Sequence, residues 1–347
     1  MTDIATQPID NAANWKGPDL VNTEDWMYRL TDADIAEIDA ALAHVKSKGL
    51  SIPSIGREDF PLPNLSKKLS EILEELETGR GFFLIRGIPV ERLGSDDAIT
   101  VYWGLGAYLG EVVAQNMMGE LLGHVQAIPG DWNDNPNIRG YQTTVHLPFH
   151  CDKSDVVGLL CLQTSKSGGT SSFTSTVAIH NEIMRTRPDL LKVLYEPFCI
   201  DHRGEEFDDI EPYYEAPVFA LHKGRLFSRY GSKYVESAQR FPQVPRLTQN
   251  QKDALDLCQD LALNEEFRLD MQFERGDIQL LNNHVTVHSR TDYEDWPEPE
   301  RRRHLVRMLL FTPGLKDVPA HTQWLNAFIK RWGDEPRQSV LESSAAE

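Results

Sequence analysis

The sequence predicts an α+β protein, an antiparallel barrel or jelly roll of short strands with flanking and inserted helices. Three observations carry this expectation. Helical periodicity dominates the first third of the chain. From about His124 the texture changes to short β-type runs broken by Gly, Pro, Asn and Asp. Those runs do not alternate with helices in the regular βαβ order that a doubly wound parallel sheet requires.

Taken in order, LTDADIAEIDAALAHVKSKGL opens on Thr31 as a cap, carries apolar residues at helical spacing and stops at Gly49. LSKKLSEILEELETGRG repeats that design, and GFFLIRGIPV after it is an apolar run of strand length. SDDAITVYWGLGAYLG reads as a third helix. Strand runs follow: HVQAI, DVVGLLCLQT, TSSFTST, APVFALHKGRLFSRY, FRLDMQF, DIQLLNNHVTVHS and HLVRMLLFTPG. Two helices, VAIHNEIMRTRPDLLKVLYE and LTQNQKDALDLCQDLALNEE, are inserted among them. No internal repeat or low-complexity linker divides the chain. The expectation is a single domain over residues 21–335, helical over about 21–120 and β-rich over about 121–315, with frayed ends at 1–20 and 336–347.

The chain has 347 residues, enough to bury a sizeable core, and 40% of them are apolar. Its formal net charge of −18 argues against a nucleic acid or an anionic membrane as partner, because both would repel such a surface. Local basic pockets for small anions remain compatible with that charge. The N-terminal MTDIATQPIDNAANW lacks the basic and apolar regions of a secretory signal, and no long apolar run suits a membrane span, so a soluble cytoplasmic protein is expected. Cys151, Cys161, Cys199 and Cys258 show no CxxC spacing and read as reduced thiols.

The chemistry is concentrated in two segments. In PFHCDKSD, a strand would point His150 and Asp152 to one side and Phe149 and Cys151 to the other. In LLNNHVTVHSR, strand alternation places His284, Thr286 and His288 on one face and offers two candidate third ligands. Two imidazoles and one carboxylate occupy one face of an octahedral iron and leave positions open for a co-substrate and oxygen. A lone His-x-Asp occurs by chance in many proteins, so the distal histidine and the basic segment EPERRRHLVRMLLF behind it matter. There Arg301 and Arg302 suit a solvated turn, whereas strand parity would carry Arg303 and Arg307 into the barrel. Arg307 is flanked by Val306, Met308 and Leu309, and a buried arginine needs a paired anion. An arginine fork matches a carboxylate bidentately.

Together HCD, GGTSSF, NNHVTVHSRTDY and RRRHLVR resemble the TauD/TfdA family of Fe(II)- and 2-oxoglutarate-dependent dioxygenases, within the clavaminate synthase-like superfamily. The resemblance covers roughly His124 to Pro313. It implies a double-stranded β-helix in which His150, Asp152 and His288 bind Fe(II), with His284 the second choice. It implies that Arg303 holds the distal carboxylate of 2-oxoglutarate, aided by a hydroxyl after the Gly-Gly pair, Ser171 in preference to Thr170. Cys151 stands where Thr or Ser is commoner, a change of packing more than of chemistry. The implied reaction uses O2, releases succinate and CO2, and hydroxylates or desaturates an aliphatic C–H; a carboxylate at Asp152 argues against halogenation.

By the same resemblance, Arg307 reaches an acidic group of the substrate, the competing role being a pair with an internal acid. The loop GDWNDNPNIRGYQTTVHL, with Trp132, Arg139, Tyr141 and His146, is expected at the pocket mouth. The partner is then a small molecule, with anionic compounds and natural-product intermediates as the expected classes. Two other readings compete: a zinc hydrolase, which leaves the arginines unexplained and lacks HExxH, and a non-catalytic β-barrel binder of small molecules.

Overall fold

The computed structural model describes residues 4–128 and 139–336. Its frame is a seven-stranded mixed sheet in the order Met27–Arg29, Phe82–Arg86, Ile278–Asn282, Val156–Gln163, His304–Phe311, Glu111–Val113, with Leu122–Val125 also paired to His304–Phe311. The Met27–Arg29/Phe82–Arg86 pair is parallel and the other pairings are antiparallel. A second, four-stranded antiparallel sheet runs Leu269–Met271, Ser171–Ser175, Thr286–Arg290, Leu147–His150. The two sheets meet face to face through rings such as Phe82 and Phe173, whose centroids are 4.8 Å apart.

Strand parity sorts each side chain of the large sheet to one of two cores. Val156, Leu160 and Leu162 of one strand, Ile278 and Leu280 of the next, and Val306, Met308 and Leu310 of a third pack under the N-terminal helices. That helical layer is Asp32–Ser47, started by a Thr31/Asp34 capping box, with Leu65–Glu77 and Ser95–Gly106. The alternate residues face the other sheet: Val157 and Leu159, Gln279 and Leu281, Leu305, Arg307 and Leu309. Arg307 is therefore inside because its neighbours Val306 and Met308 are committed to the helices. One charged side chain is carried inward by the register of its strand.

Several expectations are revised. The first 20 residues were expected to fray, yet from Ile9 on they pack: the Ile9 amide donates to Asn181 Oδ1 at 2.9 Å, and Trp15 is 5% exposed, stacked edge-on against Phe82 and Phe173. A large aromatic overrides weak local patterning because it buries so much apolar surface. The VAIHNE segment forms two helices, Thr176–Thr186 and Pro188–Leu194, because Pro188 cannot continue the first and starts the second. The last element among the described residues is a helix at Ala320–Asp334 that buries Leu325, Phe328, Ile329 and Trp332. Residues 337–347 lie outside the described residues.

Candidate active site

His150 ends the strand Leu147–His150 and His288 sits in the middle of Thr286–Arg290, directly opposite it in the antiparallel register. Their ring centroids are 4.4 Å apart. Asp152 lies two residues beyond the end of its strand, so local alternation does not aim it. The aiming is done by three contacts: its amide donates to Asn283 Oδ1 at 2.9 Å, its carbonyl accepts from Arg229 Nη1 at 2.7 Å, and its Oδ1 accepts from Arg307 Nη1 at 3.0 Å. The remaining oxygen, Oδ2, is 3.5 Å from His288 Nε2. One donor atom from each of His150, Asp152 and His288 lies within 4.8 Å of the others, and they form the sole such metal-competent cluster among the described residues.

The protonation states suit ligation. Burial pushes the His288 imidazole down to about 3, helped by His150, and burial lowers His150 as well. Burial opposes ionisation of Asp152, yet Arg307, His288 and His150 together hold its carboxyl below the usual range. His150 Nδ1 is 2.8 Å from the Pro148 carbonyl, which places the proton there and leaves the Nε2 lone pair free to coordinate a metal. Two neutral imidazoles and one carboxylate are the donor set of the 2-His-1-carboxylate iron site.

His284 is not part of it. The turn after Ile278–Asn282 separates it from the strand of His288, and its Nε2 is 2.8 Å from Asp155 Oδ1. Asp155 is 1% exposed, and its other oxygen accepts from the Thr312 amide at 3.0 Å. This is an internal brace.

The other foreseen residues divide. Arg303 directly precedes the strand His304–Phe311 and lines the cavity together with Leu305, Arg307 and Leu309, on the side that parity assigned to it, at 4% exposure. No carboxylate lies in ion-pair range of it among the described residues, and its Nη1 is buried without a hydrogen-bond partner. Gly168 and Gly169 both have φ of +71°, and a Cβ on Gly169 would stand 3.3 Å from Arg303 Nε. The Gly-Gly pair thus lets the turn lie against the arginine. Ser171 lines the cavity and donates to Gln279 Oε1 at 3.0 Å. Thr170 turns away, its hydroxyl accepting from Gln272. Arg307 also donates to Gln115 Oε1 at 2.7 Å and lies over the Tyr141 ring at 4.7 Å. Tyr141 is in the cavity wall, His146 is exposed and outside it, and Trp132 lies outside the described residues. Cys151 is buried, its sulfur accepting from the Tyr230 amide at 3.1 Å.

Sequence reasoning missed several charged wall residues. Arg290, two positions after His288 on the same strand face, carried an available signal in its parity. Lys153, Glu205 and Arg229 did not, because loops far apart in sequence bring them together.

A family model described as "Taurine catabolism dioxygenase TauD, TfdA family" matches residues 46–309. The chain belongs to the TauD, TfdA family. Among curated proteins, FR-33289 synthase of Streptomyces rubellomurinus is 30% identical over 96% of this chain and 97% of its own length. The solved structure of asparagine oxygenase with Fe(II), 2S,3S-3-hydroxyasparagine and succinate matches with a TM-score of 0.65 at 18% identity, covering 83% of this chain and 94% of that one. The non-heme iron oxygenase OrfP with Fe and alpha-ketoglutaric acid gives 0.61 at 17% identity, covering 82% and 93%. This TauD-family chain is an Fe(II)- and 2-oxoglutarate-dependent oxygenase, and neither a zinc hydrolase nor a passive binder accounts for the family together with the orphaned Arg303.

Proposed function

We propose that this TauD-family enzyme hydroxylates an aliphatic C–H of a small anionic substrate, with His150, Asp152 and His288 as iron ligands and Arg303 as anchor of the distal 2-oxoglutarate carboxylate. The observation that carries the substrate class is the charge of the cavity wall. Seven Arg and Lys side chains face two carboxylates there, Asp152 and Glu205, in a chain of 35 basic and 53 acidic residues. Fe(II) and 2-oxoglutarate cancel in charge, so the excess is left for the substrate. Taurine, named in the family description, is a sulfonate, and the substrate of asparagine oxygenase carries a carboxylate.

Iron, when bound, couples oxidative decarboxylation of 2-oxoglutarate to oxidation of the substrate. The chain's own residues prepare that chemistry. Arg307, Arg229 and Asn283 fix Asp152 on both its carboxylate and its backbone. Leu159, Phe273, Leu305 and Leu309 supply apolar wall that excludes water. Arg139 and Lys153, joined through Glu205 at 3.0 and 3.3 Å, form the cationic wall away from Arg303 that suits the substrate anion. Arg307, already engaged by Asp152 and Gln115, acts in this reading as a brace for the metal site, not as the substrate grip that the resemblance suggested. The two sheets are read as the halves of a double-stranded β-helix. No helix among the described residues is long and apolar enough to cross a membrane, and a cytoplasmic site of action fits the reduced cysteines.

The test is a screen of succinate release, dependent on Fe(II) and 2-oxoglutarate, over carboxylates, sulfonates and phosphonates paired with their neutral amides or esters. The expected hit is anionic, couples succinate to product one to one and yields a product heavier by one oxygen atom. Equal stimulation by the neutral partners removes the anionic assignment, and absence of metal-dependent 2-oxoglutarate binding removes the oxygenase assignment.

A further inference from the structure

Two guanidinium groups stand at one end of the cavity. Arg303 and Arg290 are 4% and 5% exposed, both line the wall, and each has a buried Nη1 without a hydrogen-bond partner. Neither forms an ion pair with a carboxylate among the described residues. Both lie over the ring of Tyr293, the Arg290 and Arg303 Cζ atoms 4.8 and 5.2 Å from its centroid. The remaining Arg290 donors go to backbone carbonyls: Nε to Thr291 at 3.2 Å, and Nη2 to Val145.

This arrangement is costly as it stands. Burying one guanidinium without an anion is unfavourable, and burying two close together adds like-charge repulsion. An aromatic face eases the cost without cancelling the charge, because a cation–π contact is worth far less than a desolvated ion pair. The neutral carbonyls that hold Arg290 fix its orientation, and Asp292 and Asp295 act on the pair electrostatically without closing an ion pair with either guanidinium.

Resting on the oxygenase reading above, we propose that Arg290 is a second cation of the 2-oxoglutarate subsite, so that the distal carboxylate is held by an Arg290/Arg303 pair bracketed on Tyr293. The pair selects five-carbon dicarboxylic oxo acids over monocarboxylic ones. Arg303 meets the carboxylate from the strand entry and Arg290 from the strand of His288, so the same strand that supplies a metal ligand also sets the length of the co-substrate.

The experiment measures binding, not turnover. Mn(II)-loaded protein is titrated calorimetrically with 2-oxoglutarate and with 2-oxopentanoate, which lacks the distal carboxylate, for the parent, Arg290→Gln, Arg290→Lys and Arg303→Gln. The expected result is that Arg290→Gln weakens 2-oxoglutarate by about 10- to 100-fold, the loss of one charge-assisted contact, while leaving 2-oxopentanoate nearly unchanged. Arg290→Lys restores part of the preference. A merely structural Arg290 lowers the melting temperature and weakens both ligands alike, or neither, and either outcome overturns the proposal. If the parent itself fails to bind 2-oxoglutarate with metal, the oxygenase reading falls first, so the two failures are distinguishable.

Discussion

Arg307 Nη1 lies 3.0 Å from Asp152 Oδ1, so the carboxylate that faces the two imidazoles is gripped from behind by a guanidinium carried on the opposite sheet. The pair leaves Oδ2 directed toward His288. It ties the geometry of the His150/Asp152/His288 cluster to the packing between sheets.

If Arg307 orients Asp152, removing its charge acts on the metal before it acts on any substrate. Arg307→Gln is expected to loosen Fe(II) or Mn(II) by about 10- to 100-fold, the usual range for partners that hold a ligand. Metal titration of the substrate-free protein reads this directly. Unchanged metal affinity alongside a raised substrate constant would return Arg307 to the role of substrate grip.

The two histidines of the NNHVTVH segment should separate cleanly. His288→Ala removes a ligand and is expected to abolish stoichiometric Fe(II) binding. His284→Ala leaves the buried Asp155 without one of its partners and is expected to cost about 1–3 kcal/mol of stability while metal binding persists. Loss of metal in His284→Ala with retention in His288→Ala would reverse the assignment.

Acid should destabilise the fold through two buried histidines outside the His150/Asp152/His288 cluster. Burial holds His202, ringed by Tyr214 and Phe328, down to about 3, and His180, at 2.9 Å from the Tyr195 hydroxyl, down to about 4. In the unfolded chain both take up a proton near pH 6.5. Between about pH 6.5 and 4 the unfolded state therefore binds more protons, and stability falls as pH falls, by up to about 1.4 kcal/mol per unit for each group. Urea denaturation of metal-free protein at several pH values measures the slope. His202→Phe, which keeps the aromatic stack and removes the titrating group, should flatten it.

Strand parity made much of this readable in advance. Val306 and Met308 had to face one core, so Arg307 had to face the other, and Thr31 marked its helix through a cap. The spacing of Leu325, Phe328, Ile329 and Trp332 would have announced the last helix too. What parity could not give lies where the chain leaves its strands. Asp152 is aimed by Asn283, Arg229 and Arg307, the last 155 positions away, and His284 is removed from the ligand face by a turn. Trp15 has no periodic neighbours and is placed by rings of both sheets.

The last prediction concerns Glu205, whose carboxylate accepts from Arg139 Nη2 at 3.0 Å and Lys153 Nζ at 3.3 Å, all three side chains being more than four-fifths buried. An anionic substrate entering this wall competes with Glu205 for the same two cations. Glu205→Gln keeps the shape but removes the internal anion, so its effects on stability and on binding should have opposite signs. Stability is expected to drop by roughly 1–3 kcal/mol, because two largely buried cations lose their partner. Binding of an external anion is expected to tighten, so added methylphosphonate should raise the melting temperature of the variant more than that of the parent. Melting curves against methylphosphonate concentration at constant ionic strength decide it. A variant that is destabilised and gains no extra stabilisation from the anion would show that Arg139 and Lys153 are structural and would move the substrate site elsewhere along the cavity.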